Sequence, residues 1–135
     1  MRLSLRLALL LVLLSICATP SSRAQTPTEL LLGKWRLRGG NRLIASLEIK
    51  VNGYSYAVLP NYRETGRIIL YPSNPTWIDL SIATGPNKGK TTMGIFSIKN
   101  SRLQLCLGKL GGQRPAELKS DPKQEVILWE GSKTQ

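Results

Sequence analysis

Residues 43–59 read LIASLEIKVNGYSYAVL, and this stretch decides the fold class of the chain. Apolar and polar residues alternate over residues 43–51, which is the pattern of a β-strand with one buried face. Asn52-Gly53 follows at once, and this dipeptide accepts the positive φ angles of a tight hairpin turn. A second β-rich run occupies residues 54–59. The stretch therefore predicts a β-hairpin.

Six further short β-type runs are separated by turn-forming glycine, proline, asparagine and serine residues. They are residues 34–38, 67–71, 77–83, 91–98, 102–107 and 126–129. Residues 99–101 form a short hairpin connection, residues 108–120 are irregular, and residues 131–135 form a frayed tail. Eight strands joined to their sequence neighbours predict an all-β, antiparallel up-and-down meander. Closing the meander removes exposed edges, so we expect a small eight-stranded barrel rather than a sandwich.

Residues 1–24 have the composition of a cleaved signal peptide. Arg2 and Arg6 precede an apolar run over residues 7–16. Ser22-Arg23-Ala24 then places small residues at the positions that a signal peptidase recognises. The run is shorter than the roughly 20 residues that cross a bilayer as a helix. We therefore expect cleavage after Ala24 and a single domain over residues 25–135. The processed chain would be periplasmic or secreted, and not transmembrane.

Lipidation at Cys17 is the alternative processing route. Leu14-Ser15-Ile16-Cys17 resembles a lipid-attachment box. Such a box has a small residue immediately before the cysteine, whereas Ile16 is bulky and β-branched. Cleavage after Ala24 would also discard Cys17 with the signal peptide.

The charge of the chain indicates one kind of partner. Removing residues 1–24 leaves 111 residues and takes away three arginines and no acid, so the net charge falls from +11 to +8. The cations are spread along the chain and aromatic residues do not interleave with them, so no nucleic-acid partner is expected. An anionic envelope surface, such as membrane headgroups or acidic polysaccharide, would be attracted without specificity, and the alternative is a solvated basic surface that has no partner.

The residue types argue against catalysis. The chain has no histidine, which removes the commonest general base and metal ligand. The carboxylates show no paired spacing, and a single cysteine in the mature chain cannot build a structural zinc site. Cys106 lies between two leucines and is expected to pack as a small hydrophobe. We therefore predict a protein that is not an enzyme and has no cofactor and no metal.

Several segments carry a resemblance to a known family. Gly33-Lys34-Trp35 resembles the Gly-x-Trp opening of lipocalin-type barrels. Ile78-Asp79-Leu80, a Gly-Lys loop over residues 85–90, Gly94-Ile95-Phe96, Leu105-Cys106-Leu107 and Arg114-Pro115-Ala116-Glu117 then occur in one order. This order is similar to a lipocalin-like domain family of planctomycete-type bacteria, although Phe96 stands where tyrosine is usual. The resemblance implies a lipocalin-like barrel and an exported, ligand-binding role, and it implies no enzymatic activity.

Four residues are candidates for a ligand site in the barrel, namely Trp35, Tyr54, Tyr56 and Arg114. In Gly-x-Trp barrels the tryptophan plugs one end and an arginine lies across its face, and the resemblance assigns that place to Arg114. The alternative is that Arg114 anchors a loop through Glu117. Asp79 is either a solvated strand residue or a cap for the loop at residues 85–89.

Two binding functions follow from a barrel of this size. In the first, the barrel mouth takes a small apolar or amphipathic ligand. In the second, the barrel is packed, and its basic exterior docks to the cell envelope or to another protein. The interior of an eight-stranded barrel can be filled by its own side chains. The residues that would fill it by pointing inward are Leu43, Leu47, Ile49, Tyr54, Tyr56 and Val58.

Overall fold

The computed structural model describes residues 24–135, which form a closed eight-stranded antiparallel barrel. The strands are β1 (Gly33–Arg38), β2 (Ile44–Lys50), β3 (Gly53–Val58), β4 (Tyr62–Tyr71), β5 (Thr76–Thr84), β6 (Thr91–Lys99), β7 (Arg102–Leu107) and β8 (Ile127–Lys133). Each strand pairs with its sequence neighbours, and β8 closes the barrel against β1. The prediction of an all-β up-and-down barrel is confirmed. The predicted signal peptide, apart from Ala24, lies outside the described residues.

The helix α1 (Pro27–Leu31) closes one end of the barrel, here called the helical end. A capping box starts it, in which the Thr26 hydroxyl accepts from the Glu29 N–H and the Glu29 carboxylate accepts from the Thr26 N–H. Leu31 is completely buried, and the Trp35 indole N–H donates to its carbonyl oxygen at 2.8 Å. No helix within residues 24–135 is long and apolar enough to cross a membrane.

The opposite end, here called the loop end, carries the β1–β2, β3–β4, β5–β6 and β7–β8 connections. Two single-turn 3₁₀ segments, Gly40–Arg42 and Pro122–Gln124, lie in the first and last of these. The β7–β8 connection, residues 108–126, is by far the longest. It packs on the outside of the barrel, where Ile95, Cys106 and Val126 form a second small core under it.

The barrel lumen is filled by side chains. The buried cluster comprises Leu31, Trp35, Leu37, Ala45, Leu47, Ile49, Tyr54, Tyr56, Ile78, Leu80, Phe96, Leu103, Leu105, Leu107 and Trp129. Four of the six residues proposed to fill the lumen belong to it, and Leu43 and Val58 pack against it. An interior packed in this way has the density of an organic crystal and holds few voids.

Two strands exceed their predicted length by three residues or more, and a glycine explains each difference. β4 begins at Tyr62 instead of residue 67, and it runs through Gly66 at a register shift, where a Cβ would overlap the carbonyl oxygen of Ser81. β8 continues through Gly131, where a Cβ would overlap the carbonyl oxygen of Arg36. Both glycines permit close backbone approach inside a strand rather than ending it. The predicted frayed tail is therefore wrong as far as Lys133.

The predicted hairpin of β2 and β3 is present, with its turn one residue earlier than expected. Lys50 pairs with Gly53, so the two turn residues are Val51 and Asn52, and neither has a positive φ angle. Positive φ angles occur instead in the β6–β7 turn, at Asn100 (52°) and Ser101 (61°). Two consecutive left-handed residues match the twist of the flanking strands. The short connection predicted at residues 99–101 is confirmed.

Candidate functional site

A groove of about 650 Å³ lies on the outer face of β1, β2, β3 and β4. Two rows of paired, outward-facing residues form most of it. One row is Arg36–Ser46–Ala57–Arg63 and the other is Lys34–Glu48–Ser55–Thr65. Ser46, Ser55 and Ala57 in the middle of the rows form a floor, and Lys34, Arg36 and Arg63 stand at the edges. We call this feature the basic groove.

The basic groove has an excess of positive charge. Within residues 24–135, Lys34, Arg36 and Arg63 form no salt bridge, and all three are exposed. Glu48 is the one outward carboxylate of the two rows, and its oxygen lies 3.7 Å from the Lys50 ammonium. In the two rows, three basic side chains therefore face one outward carboxylate, Glu48, which is the cross-strand neighbour of Lys34.

The spacing of the two arginines suits an extended ligand. Arg36 and Arg63 stand in the same row on strands β1 and β4. Three interstrand spacings of about 4.8 Å place their backbones about 14 Å apart. Guanidinium groups bind carboxylate, sulfate or phosphate oxygens bidentately, and the Ser46 and Ser55 hydroxyls between them are hydrogen-bonding groups. The arrangement can bind a chain that carries repeated anionic groups.

A second polar cluster is buried inside the barrel near the loop end. Glu64 is only 5% exposed, and its carboxylate accepts hydrogen bonds from the Tyr54 hydroxyl at 3.1 Å and the Tyr62 hydroxyl at 2.5 Å. The Asn87 amide donates in turn to the Tyr62 oxygen at 2.9 Å. Tyr56 packs edge-on against Tyr62, with ring centroids 6.3 Å apart. The carboxylate is thus held by hydrogen bonds, which charged buried groups require.

This cluster keeps its tyrosines protonated. Burial, followed by the nearby Glu64 charge, raises the pKa of Tyr54 and of Tyr56 far above the ordinary value of about 10. Burial and the hydrogen bond to Glu64 also raise the pKa of Tyr62. Each hydroxyl therefore serves as a hydrogen-bond donor or a packed polar tip rather than as a base.

The raised tyrosine pKa values make the fold sensitive to alkali. Below about pH 10 these side chains are protonated in both the folded and the unfolded chain, so their full contribution to stability is present. Above pH 10 the unfolded chain loses these protons first, so the free energy of unfolding falls by up to about 1.4 kcal/mol per pH unit for each tyrosine. Urea titrations from pH 8 to pH 11.5 measure this fall.

The Tyr54→Phe variant should show a shallower decline with pH than the parent protein. A free energy of unfolding that stays constant up to pH 11.5 would contradict the buried arrangement of Tyr54, Tyr56 and Tyr62.

Trp35 lies at the helical end as the Gly-x-Trp resemblance implies, but its cation is a different residue. The Lys133 ammonium lies 5.3 Å from the centre of the Trp35 ring. The expectation that Arg114 crosses Trp35 is wrong. Lys133 pairs with Trp35 across β8 and β1, and it reaches this place because β8 extends past its predicted end.

Arg114 instead anchors residues 108–126 to the outside of the barrel. Its Nη1 donates to the carbonyl oxygens of Ile78 at 3.1 Å and Gly94 at 2.7 Å, and its Nη2 donates to Asp79 Oδ1 at 2.5 Å. The guanidinium also lies 4.7 Å from the Trp77 ring centre. The anchor is therefore Asp79 rather than Glu117. Asp79 is neither a solvated residue nor a cap of the loop at residues 85–89, because its carboxylate is paired with Arg114.

Cys106 is sealed under the same connection. Its side chain is completely buried, and Sγ donates to the carbonyl oxygen of Lys119 at 3.4 Å. Burial raises the pKa of the thiol, which disfavours the reactive thiolate. This environment is the one expected of a packed, hydrophobe-like cysteine.

The four predicted ligand-site residues do not form one site. Tyr54 and Tyr56 belong to the buried cluster, Trp35 stands two strands away in the row of Tyr56 and Leu47, and Arg114 is outside the barrel. Sequence reasoning missed the basic groove. Lys34 and Arg36 alternate with buried residues along β1, and this pattern could have indicated a basic outer face. Arg63 gave none, because the start of β4 was read as a loop.

Neither a protein-family model, nor a curated protein, nor a solved structure gives a significant match to this chain. The resemblance to lipocalin-like domains therefore stays a prediction, and the functional inference must come from the site. In the part of the chain that the structure describes, no group of three or more acidic or cysteine side chains is placed to hold a metal ion. The geometry supports binding through the exterior.

Proposed function

We propose that this chain is a non-enzymatic binding module that holds an extended anionic polymer, such as an acidic envelope polysaccharide, in its basic groove. The observation that carries the proposal is the groove on the outer face of β1 to β4, with Lys34, Arg36 and Arg63 at its edges. Export to the periplasm or the cell exterior, predicted from residues 1–24, would bring the module to such a polymer.

Because side chains pack the lumen, binding on the exterior is favoured over binding of a small apolar ligand in the barrel mouth. Trp35 and Trp129, the two largest lumen side chains, are 2% and 1% exposed. A drug-sized ligand occupies a pocket of several hundred Å³. Two cavities within residues 24–135, of about 650 Å³ and 480 Å³, lie outside the lumen, in the basic groove and beside residues 115–126.

The groove favours a polymer over a compact anion because its cations are distributed. Lys34 and Arg36 are two residues apart on β1, and Arg63 lies across the floor on β4. A single phosphate or carboxylate reaches one of these walls, whereas a chain with repeated charges reaches both. Each exposed contact is weak, so the affinity would depend on several of them together and fall with salt.

Binding of polygalacturonate, a carboxylated polysaccharide, tests the proposal. Replacing two groove cations in Arg36→Ser/Arg63→Ser should weaken binding by up to about 30-fold at low salt, since each lost exposed ion pair is worth up to about 1 kcal/mol. Isothermal titration calorimetry measures the change, and neutral dextran should not bind.

The Lys99→Ser/Lys123→Ser variant is the matched control, because it removes two exposed cations that do not line the groove. Its affinity should stay within about threefold of the parent protein, as expected for long-range charge alone. Equal weakening in both variants would assign the binding to diffuse charge and overturn the role of the groove.

A further inference from the structure

Four large apolar side chains are exposed together on the outer face of β4, β5 and β6. Ile69, Tyr71, Trp77 and Met93 are each between 36% and 51% exposed. The strand register makes them neighbours, since Tyr71 pairs with Trp77, and Ile69 and Met93 flank Asp79 on either side. We call these four residues the aromatic patch.

The two rings of the aromatic patch contact Arg114 and each other. The Arg114 guanidinium lies 4.7 Å from the Trp77 ring centre and 5.9 Å from the Tyr71 ring centre. The two rings also contact each other edge-on, with centroids 6.4 Å apart. Because Asp79 and Arg114 neutralise each other, the middle of the patch carries no net charge.

Basic side chains border the aromatic patch. Arg67 stands in the next row of the sheet, paired with Ser81, and this row continues to Thr91 beside Lys90. Lys109 lies nearby, because the N–H groups of Gly108 and Gly111 donate to the carbonyl oxygens of Met93 and Thr91. Its ammonium is 3.4 Å from Glu125 in an exposed pair. An apolar centre with a basic border complements a surface that is apolar inside and anionic at its rim.

The size and the residue types of the aromatic patch indicate which kind of partner it binds. A specific protein–protein interface uses about 20–30 residues on each side, and four side chains fall far short of that number. The sheet is closed here, so a partner strand has no edge to pair with. Tryptophan and tyrosine favour the membrane–water interface, and basic side chains bind anionic headgroups. A lipid surface accepts a few protruding side chains without a shaped pocket.

We propose that the aromatic patch docks the barrel onto an anionic phospholipid surface, with Trp77 inserted at the headgroup level. This inference goes beyond polymer binding. The aromatic patch and the basic groove share no residue, so each can be disabled without the other.

Trp77 is a built-in reporter for this proposal. The chain has three tryptophans, and the other two, Trp35 and Trp129, are sealed in the lumen. Mixing the barrel, residues 25–135 without the apolar run of the signal peptide, with vesicles of phosphatidylglycerol and phosphatidylcholine should shift its tryptophan emission to the blue. Brominated acyl chains should quench that emission, and a Trp77→Phe variant should bind while showing neither effect.

Ile69→Ser/Met93→Ser keeps the reporter and removes apolar contact, so vesicle partitioning should fall about tenfold or more. Val51→Ser, which replaces an exposed apolar residue outside the patch, should partition like the parent protein. Absence of vesicle binding, binding without a spectral shift, or unchanged partitioning of Ile69→Ser/Met93→Ser would each overturn the proposal. Polygalacturonate affinity of Ile69→Ser/Met93→Ser should be unchanged, which separates this result from the test of the groove.

Discussion

Replacing Trp129 by alanine should lower the free energy of unfolding by about 3–5 kcal/mol. The Trp129 ring is 1% exposed and packs edge-on against Tyr56 at a centroid distance of 6.1 Å. Its removal takes away a large buried apolar area and leaves a cavity, because a packed barrel wall can collapse only in part. Urea unfolding monitored by circular dichroism measures the loss.

The cavity left by Trp129→Ala provides a second readout. A void lined by apolar side chains stays dry and binds small apolar molecules. Indole should therefore raise the melting temperature of Trp129→Ala and leave that of the parent protein unchanged. Trp77→Ala is the matched control, because its exposed ring should contribute about 1 kcal/mol or less. A loss below 1 kcal/mol for Trp129→Ala would mean that this ring does not fill the lumen.

Replacing Asp79 by alanine should lower the free energy of unfolding by about 3 kcal/mol, since it leaves the Arg114 charge without its partner. The two side chains are only 13% and 16% exposed, so water replaces the lost carboxylate poorly. The connection over residues 108–126 would loosen at its anchor. Because it covers Cys106, a thiol reagent should label this cysteine faster in Asp79→Ala, measured in a Cys17→Ser background.

A double variant separates the charge effect from a general packing defect. In Asp79→Ala/Arg114→Leu no unpaired charge remains, so part of the lost stability should return, as is typical when both partners of a buried pair are replaced. Additive losses in the double variant, with an unchanged rate of Cys106 labelling, would show that the ion pair does not anchor the connection.

The fold class could be predicted because strand alternation and turn chemistry are local signals. Residues 43–51 show their period without help from the rest of the chain, and their hairpin partner follows after a two-residue turn. The two largest errors in the predicted strand bounds, those of β4 and β8, arise from contacts with residues distant in the sequence. Gly66 and Gly131 look like strand ends, and only the carbonyl groups of other strands explain why glycine is needed inside a strand.

The candidate sites were less predictable because they depend on contacts between distant residues. Asp79 and Arg114 are 35 residues apart, and only the packing of residues 108–126 shows that they meet. The basic groove requires the register of four strands, which places Arg36 and Arg63 in one row. The sequence does not show whether Tyr54 and Tyr56 point into the barrel, because a shift of the strand register by one residue would turn both side chains outward.

Native mass spectrometry of the gently purified protein tests most directly whether the barrel is packed and binds through its exterior. A filled lumen predicts the bare mass of the chain in both the parent protein and the Ile69→Ser/Met93→Ser variant, which lacks part of the aromatic patch. A lipid-sized adduct that persists in this variant and leaves only on denaturation would place a ligand inside the barrel and contradict the packed lumen.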